Sequence, residues 1–95
     1  MTLELKDVQF FEVKQTDSSP LTIRMTGLVS HSSLGIRNIT TIEDNQSLHI
    51  LVHLVLATEK FSGNLDYSVI VPASIRSVTF GETKAIIWDL DSNEY

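Results

Sequence analysis

His49 and His53 stand four residues apart, a spacing that would bring both imidazoles to one metal ion if the segment were helical. On a β-strand the same spacing spans about 13 Å at ~3.3 Å per residue, too far for a shared ion whose metal–nitrogen bonds are ~2 Å. The segment that holds them, Ser47 to Thr58 (SLHILVHLVLAT), alternates apolar and polar residues and is rich in β-branched side chains. That pattern is a strand, so no metal site follows.

Ser30-His31-Ser32-Ser33 sets a histidine among hydroxyls. A serine nucleophile needs a base held against it by a third group, and no G-x-S-x-G turn supports one here. The polar-loop reading is preferred. The tail Asp89-Leu90-Asp91-Ser92-Asn93-Glu94 opens like a calcium loop, but its sixth position is Glu94 where a glycine is required, and no glutamate occupies the twelfth. It reads as an acidic terminus. Asn38-Ile39-Thr40 and Asn45-Gln46-Ser47 match the N-glycosylation tripeptide, which is common by chance. No catalytic residue, metal ligand or cofactor site follows from any of these.

Composition narrows the classes further. Ninety-five residues suit one domain, expected to span residues 1–95, because two cores could not both be filled. The chain has no cysteine, so neither a disulfide nor a thiolate is available and aliphatic burial must hold the fold. Twelve Asp and Glu against seven Lys and Arg give a net charge of −5 without a basic cluster, which argues against nucleic acid as a partner. No run of 18 apolar residues is present to span a membrane. The opening MTLELKDVQF lacks the basic and apolar regions of a signal peptide. A cytoplasmic protein is expected if Met1 is the native start, and a periplasmic one if a signal was removed.

The elements that must position these residues are strands. Leu3 to Val13 reads as the first, with a bulge at Phe10-Phe11 where the apolar phase changes. After the turn cluster Thr16 to Pro20 come Leu21 to Val29 and, past a polar loop, the less regular Ile36 to Ile42. Ser47 to Thr58 and Asn64 to Pro72 follow; Pro72 to Ile75 reads as a single turn or crossover; Ser77 to Phe80 and Lys84 to Leu90 flank Gly81-Glu82-Thr83. Seven short strands with turn signals about every ten residues predict an all-β, two-layer antiparallel sandwich of immunoglobulin-like type, with a small β-barrel as the alternative. The closing pattern Val71-Pro72, Ile75, Val78-Thr79-Phe80-Gly81 and Ile86-Ile87-Trp88 resembles the C-terminal half of small, uncharacterised bacterial immunoglobulin-like β-sandwich proteins. The resemblance covers about a third of the chain and rests on structural positions, so it implies a bacterial sandwich and assigns no functional residue.

Period-two phases give a core of Leu48, Ile50, Val52, Leu54 and Leu56 facing Leu65, Tyr67, Val69 and Val71, closed by Ile23, Met25, Phe80, Ile86 and Trp88. Treating the fourth and fifth strands as a hairpin with the loop Glu59 to Ser62 sets Leu56 opposite Leu65, His53 opposite Ser68 and Leu51 opposite Ile70. The second face then carries His49, Leu51, His53, Val55, Ala57, Asp66, Ser68 and Ile70, too apolar for a solvated sheet and too polar for a core. His53 and Asp66 become diagonal neighbours on it, which would make association sensitive to pH. His49, Leu51, His53, Val55, Asp66, Ser68 and Ile70 are therefore the candidate binding residues. The expected function is a non-enzymatic module that recognises another protein, or a second copy of itself, through a sheet face or edge. A small acidic inhibitor or immunity-type protein is one alternative, and a small-ligand binder or enzyme is another.

Overall fold

Alternation of apolar and polar residues becomes seven strands in the computed structural model, which describes residues 1–31, 33–58 and 61–90. A 3-10 turn, Leu5–Asp7, leads into β1 (Val8–Ser18). Then come β2 (Leu21–Val29), β3 (Leu34–Asp44), β4 (Ser47–Leu56), β5 (Asn64–Ile70), β6 (Ser77–Phe80) and β7 (Ala85–Asp89). They form a three-stranded sheet, β1-β2-β5, and a four-stranded sheet, β3-β4-β6-β7. The expected sandwich of seven strands is what the chain forms. Every strand pair is antiparallel except β4 with β6, which run parallel.

The core lies between the layers. Ile23 and Met25 of β2 with Leu65 of β5 meet Leu48, Ile50, Val52 and Leu54 of β4, Val78 and Phe80 of β6, and Trp88 of β7. Leu3, Val71 and Ile75 close it, and the ring of Phe11 packs edge-on against Phe80 at a centroid distance of 5.5 Å. Tyr67 and Val69 are partly buried against this cluster.

Two expected core residues lie outside it. Leu56, the last residue of β4, is 75% exposed: burial of the inward phase ends at Leu54. Ile86 is 63% exposed: β7 pairs Trp88 with Val78 and Ile86 with Thr79, so Ile87 is an extra residue that reverses the phase. The bulge expected at Phe10-Phe11 is present. Register passes from Gln9↔Leu28 to Glu12↔Thr26, and Phe10 adopts a φ of 56° with its ring in solvent.

The expected hairpin of β4 with β5 does not form, and with it falls the cross-strand register based on it. β4 pairs with β3 and β6, β5 pairs with β2, and the two lie in opposite layers. Their apolar phases do face one another, but across the core rather than side by side, a distinction to which period two is blind. Glu59 and Lys60 of the expected loop lie outside the described residues. The flanking residues close one end of the sandwich instead. Ala57 N–H donates to Ser33 O, Ile36 N–H to Ser62 O and Val29 N–H to Gly63 O. Gly35 admits this close approach, since a Cβ there would collide with the Phe61 carbonyl.

The first expected strand is also divided. Leu3 N–H donates to Val52 O at 2.9 Å and Leu54 N–H to Met1 O at 2.7 Å, so residues 1–3 extend the four-stranded sheet beside β4 where β6 has ended. The 3-10 turn then carries the chain to the other layer as β1. Between them, Glu4 clamps the β6–β7 turn: its carboxylate accepts from Glu82 N–H at 3.0 Å, Thr83 N–H at 3.2 Å and Thr83 Oγ1 at 2.8 Å. Desolvation opposes its charge, but the Thr83 hydroxyl, the two amides and nearby Lys6 outweigh it and hold the carboxyl below its ordinary value. Gly81, at φ 80°, has no Cβ to strike that carboxylate.

Ile50, fully buried, and Leu56, mostly exposed, belong to the same phase of β4 and give a test of where the core ends. Ile50→Ala is expected to cost about 2–5 kcal/mol in denaturant unfolding through lost burial and a cavity. Leu56→Ala is expected to stay within about 0.5 kcal/mol, as an ordinary surface change does.

Candidate interaction surface

The outward face of the four-stranded sheet is built in rows that follow directly from strand register. Ile42 of β3 lies beside His49 of β4, His49 beside Thr79 of β6, and Thr79 beside Ile86 of β7. Next to that row, Thr40 lies beside Leu51; beyond it, Asn38 and Thr2 flank His53, and Gly35 lies beside Val55. On the other side Asp44, Ser47, Ser77 and Asp89 complete the pattern.

Two hydroxyl–imidazole pairs lie in this face. His49 Nδ1 is 2.6 Å from Thr79 Oγ1, and His53 Nε2 is 2.9 Å from Thr40 Oγ1. Thr79 is 4% exposed, and the partner keeps its hydroxyl from being an unsatisfied polar group under the surface. Ser47 and Ser77 pair through their hydroxyls at 2.9 Å. Around these polar pairs Leu51 and Val55 are half-buried while Ile42 and Ile86 are largely exposed. Asp44 and Asp89 keep to one end of the face.

The remaining candidate residues stand on the opposite side of the molecule. Asp66, Ser68 and Ile70 belong to β5 and face outward from the three-stranded sheet, beside Thr26, Arg24 and Thr22 of β2. The structure therefore brings His49, Leu51, His53 and Val55 together and separates them from Asp66, Ser68 and Ile70. The expected contact of His53 with Asp66 is not made, because their strands lie in different layers, and the pH-sensitive pair inferred from it falls too. Asp66 instead takes Arg24 in a two-pronged ion pair, with Arg24 Nε 2.8 Å from Oδ1 and an Arg24 terminal nitrogen 2.6 Å from Oδ2. Lys14 and Glu12 add a looser pair at 3.6 Å. This second face carries those ion pairs across its middle and exposes Leu28 and Ile70 toward its two ends.

Sequence reasoning missed Thr40, Thr79, Ile42 and Ile86 as parts of the first face. Thr79 and Thr40 reach the histidines from 30 and 13 residues away in the chain, so no local spacing announces them. Among the described residues, no group of three or more His, Cys, Asp or Glu is gathered for a metal ion. No helix among them is long and apolar enough to cross a membrane. The acidic tail beyond Leu90 and Ser32 of the hydroxyl-rich loop lie outside the described residues.

The hydrogen bonds from Arg24 hold the Asp66 carboxyl below its ordinary value, against slight desolvation and with help from the guanidinium charge. A depressed carboxyl contributes stability that is complete above its unfolded-state pKa and lost as the pH falls through the folded-state value. Carboxyl-carbon NMR titration should therefore place the Asp66 midpoint below that of an ordinary aspartate. In Arg24→Met the midpoint should return to the ordinary range. An unchanged midpoint would show that the ion pair is not held in solution, where half-exposed pairs are weakened by salt.

No protein-family model, curated protein or solved structure matches this chain.

Proposed function

We infer that this protein is a non-enzymatic binding module that recognises another protein through the outward face of its four-stranded sheet. One observation carries the reading: the two outward faces differ in where their charges sit. The face of β1, β2 and β5 exposes Leu28 and Ile70 but sets Glu12, Lys14, Arg24 and Asp66, charged and paired, across its middle. The face of β3, β4, β6 and β7 presents Ile42, Leu51, Val55 and Ile86 around two hydroxyl–imidazole pairs and keeps its carboxylates at one end. Covering the centre of such a surface removes apolar area from water without disturbing either of the ion pairs, which lie on the other face. Aromatic or aliphatic anchors on a partner would fit it, with the imidazoles and hydroxyls supplying orientation.

Kinship with bacterial immunoglobulin-like sandwiches belongs to the same proposal. The order β1-β2-β5 is that of the A, B and E strands of that plan, and β6-β7 occupy the place of its last hairpin. The parallel pairing of β4 with β6 departs from it.

The reading is tested by two charge insertions compared in capture from the source lysate. Leu51→Glu should fold with the wild-type spectrum and lose a partner that the wild type retains, whereas Ser68→Glu on the other face should keep it. Loss in Ser68→Glu alone would move the interface to the three-stranded sheet. Unfolding of Leu51→Glu would make Leu51 part of the monomer's own packing and remove the reason for the proposal.

A further inference from the structure

We propose that two copies of this chain join along β3, edge to edge and antiparallel across a two-fold axis, so that two four-stranded sheets become one of eight strands. Among the described residues four edges are present, β1 and β5 in one sheet and β3 and β7 in the other. Proteins protect exposed edges with bulges, short strands and inserted charge. β1 has register breaks at two places and carries Lys14. β7 is five residues long and is bulged at Ile87. β5 is unbroken, but its single charged residue, Asp66, is already held by Arg24 of its own copy, so pairing two copies along β5 gains no ion pair between them. β3 also has a bulge and charges, but its charges are of opposite sign at its two ends.

Beyond its bulge at Arg37, β3 runs from Asn38 to Asp44 in unbroken register with β4. It includes the β-branched run Ile39-Thr40-Thr41-Ile42 and no proline or lysine. Before the bulge the edge is already occupied, since Ile36 N–H donates to Ser62 O at 2.8 Å. Asn45 and Gln46 both have positive φ, 47° and 71°, and form a two-residue hairpin turn closed by Asp44 and Ser47. That closing pair is hydrogen-bonded, so antiparallel alternation turns the backbone groups of Asp44, Ile42, Thr40 and Asn38 toward β4. The N–H and C=O of Ile39, Thr41 and Glu43 consequently face outward.

Those three positions are self-complementary. Placing Thr41 opposite Thr41 of the second copy sets Ile39 opposite Glu43, and every outward N–H and C=O finds a partner. Inner faces then lie on the same side of the joined sheet. The charges agree with this direction: the strand is basic at Arg37 and acidic at Glu43-Asp44, so the antiparallel arrangement brings Arg37 of each copy near the acidic end of the other. A parallel arrangement would oppose like charges. Ile42, 52% exposed, moves from the rim of the sheet to beside Thr40 of the second copy.

The pairing is small, so it is expected to appear between ~10 µM and ~1 mM. Amide hydrogen exchange of the wild-type protein gives the direct readout. The N–H groups of Ile39, Thr41 and Glu43 should exchange about tenfold more slowly at the high concentration than at the low one, while the outward amides of β5 do not change. The sedimentation mass should double over the same range. Thr41→Pro removes an outward N–H without removing a β4 hydrogen bond, and it should remain a folded monomer. Arg37→Glu, chosen in case the proline distorts the strand, should also abolish the doubling. The proposal is overturned by concentration-independent exchange at all three amides, or by a dimer that survives Arg37→Glu. Protection confined to β5 would equally reject it in favour of the other edge. The face and the edge are read separately: Leu51→Glu is expected to leave β3 pairing in place, so loss of the partner and loss of the dimer distinguish the two proposals.

Discussion

β4 is the strand on which the rest of the structure depends, because its backbone is paired along both sides. β3 follows it over its whole length on one side; on the other, β6 pairs residues 47–50 and the N-terminal segment takes over at Val52 and Leu54. A central strand can leave no N–H or C=O unpaired without a substantial penalty, so the short β6 requires a second partner for β4. Met1 to Leu3 supply it. The consequence reaches the far end of the chain, since Gly81 N–H donates to Ile50 O and Glu4 caps the turn that Gly81 begins. Both termini of the fold are thereby registered against a single strand whose inward side chains, Leu48 to Leu54, fill the middle of the core.

What was legible in the sequence is what period two encodes locally. The existence of the strands, the inward phase of β2, β4 and β5, and the bulge at Phe10-Phe11 all appear as alternation or as a break in it. The bulge in β7 was not legible for the same reason. Ala85-Ile86-Ile87-Trp88 is apolar throughout, so an inserted residue produces no visible break in phase. Pairing was illegible on different grounds. A strand that faces another across a core and one that lies beside it in a sheet show the same alternation, and only the long-range competition for backbone partners separates β4 from β5.

The candidate surface was half legible by the same rule. Leu51 and Val55 alternate with His49 and His53 on the non-core phase of one strand, and that excess of apolar residues on an outward face could be read directly. Which other residues share the face depends on inter-strand register. Thr79, Ile42 and Ile86 enter through pairing, whereas Asp66, Ser68 and Ile70 leave because β5 belongs to the other layer. A polar residue four positions from its like is a statement about one strand; a hydrogen-bonded pair such as His49 with Thr79 is a statement about two.

The distribution of charge over the two outward faces has an energetic consequence that exposure alone does not carry. Covering the three-stranded sheet would desolvate the Arg24–Asp66 pair and the Lys14–Glu12 pair, and the hydration lost by such groups commonly equals or exceeds what their attraction returns. Covering the four-stranded sheet meets hydroxyls and imidazoles that each already hold one partner, so part of their polar capacity stays satisfied when water leaves. Its apolar residues gain on burial, while Asp44 and Asp89 remain at one end where a rim would stay wet. The net acidic charge does not weaken this preference. Among the described residues the carboxylates lie at strand ends, in turns and on the opposite face, which leaves the centre of the four-stranded sheet free of them.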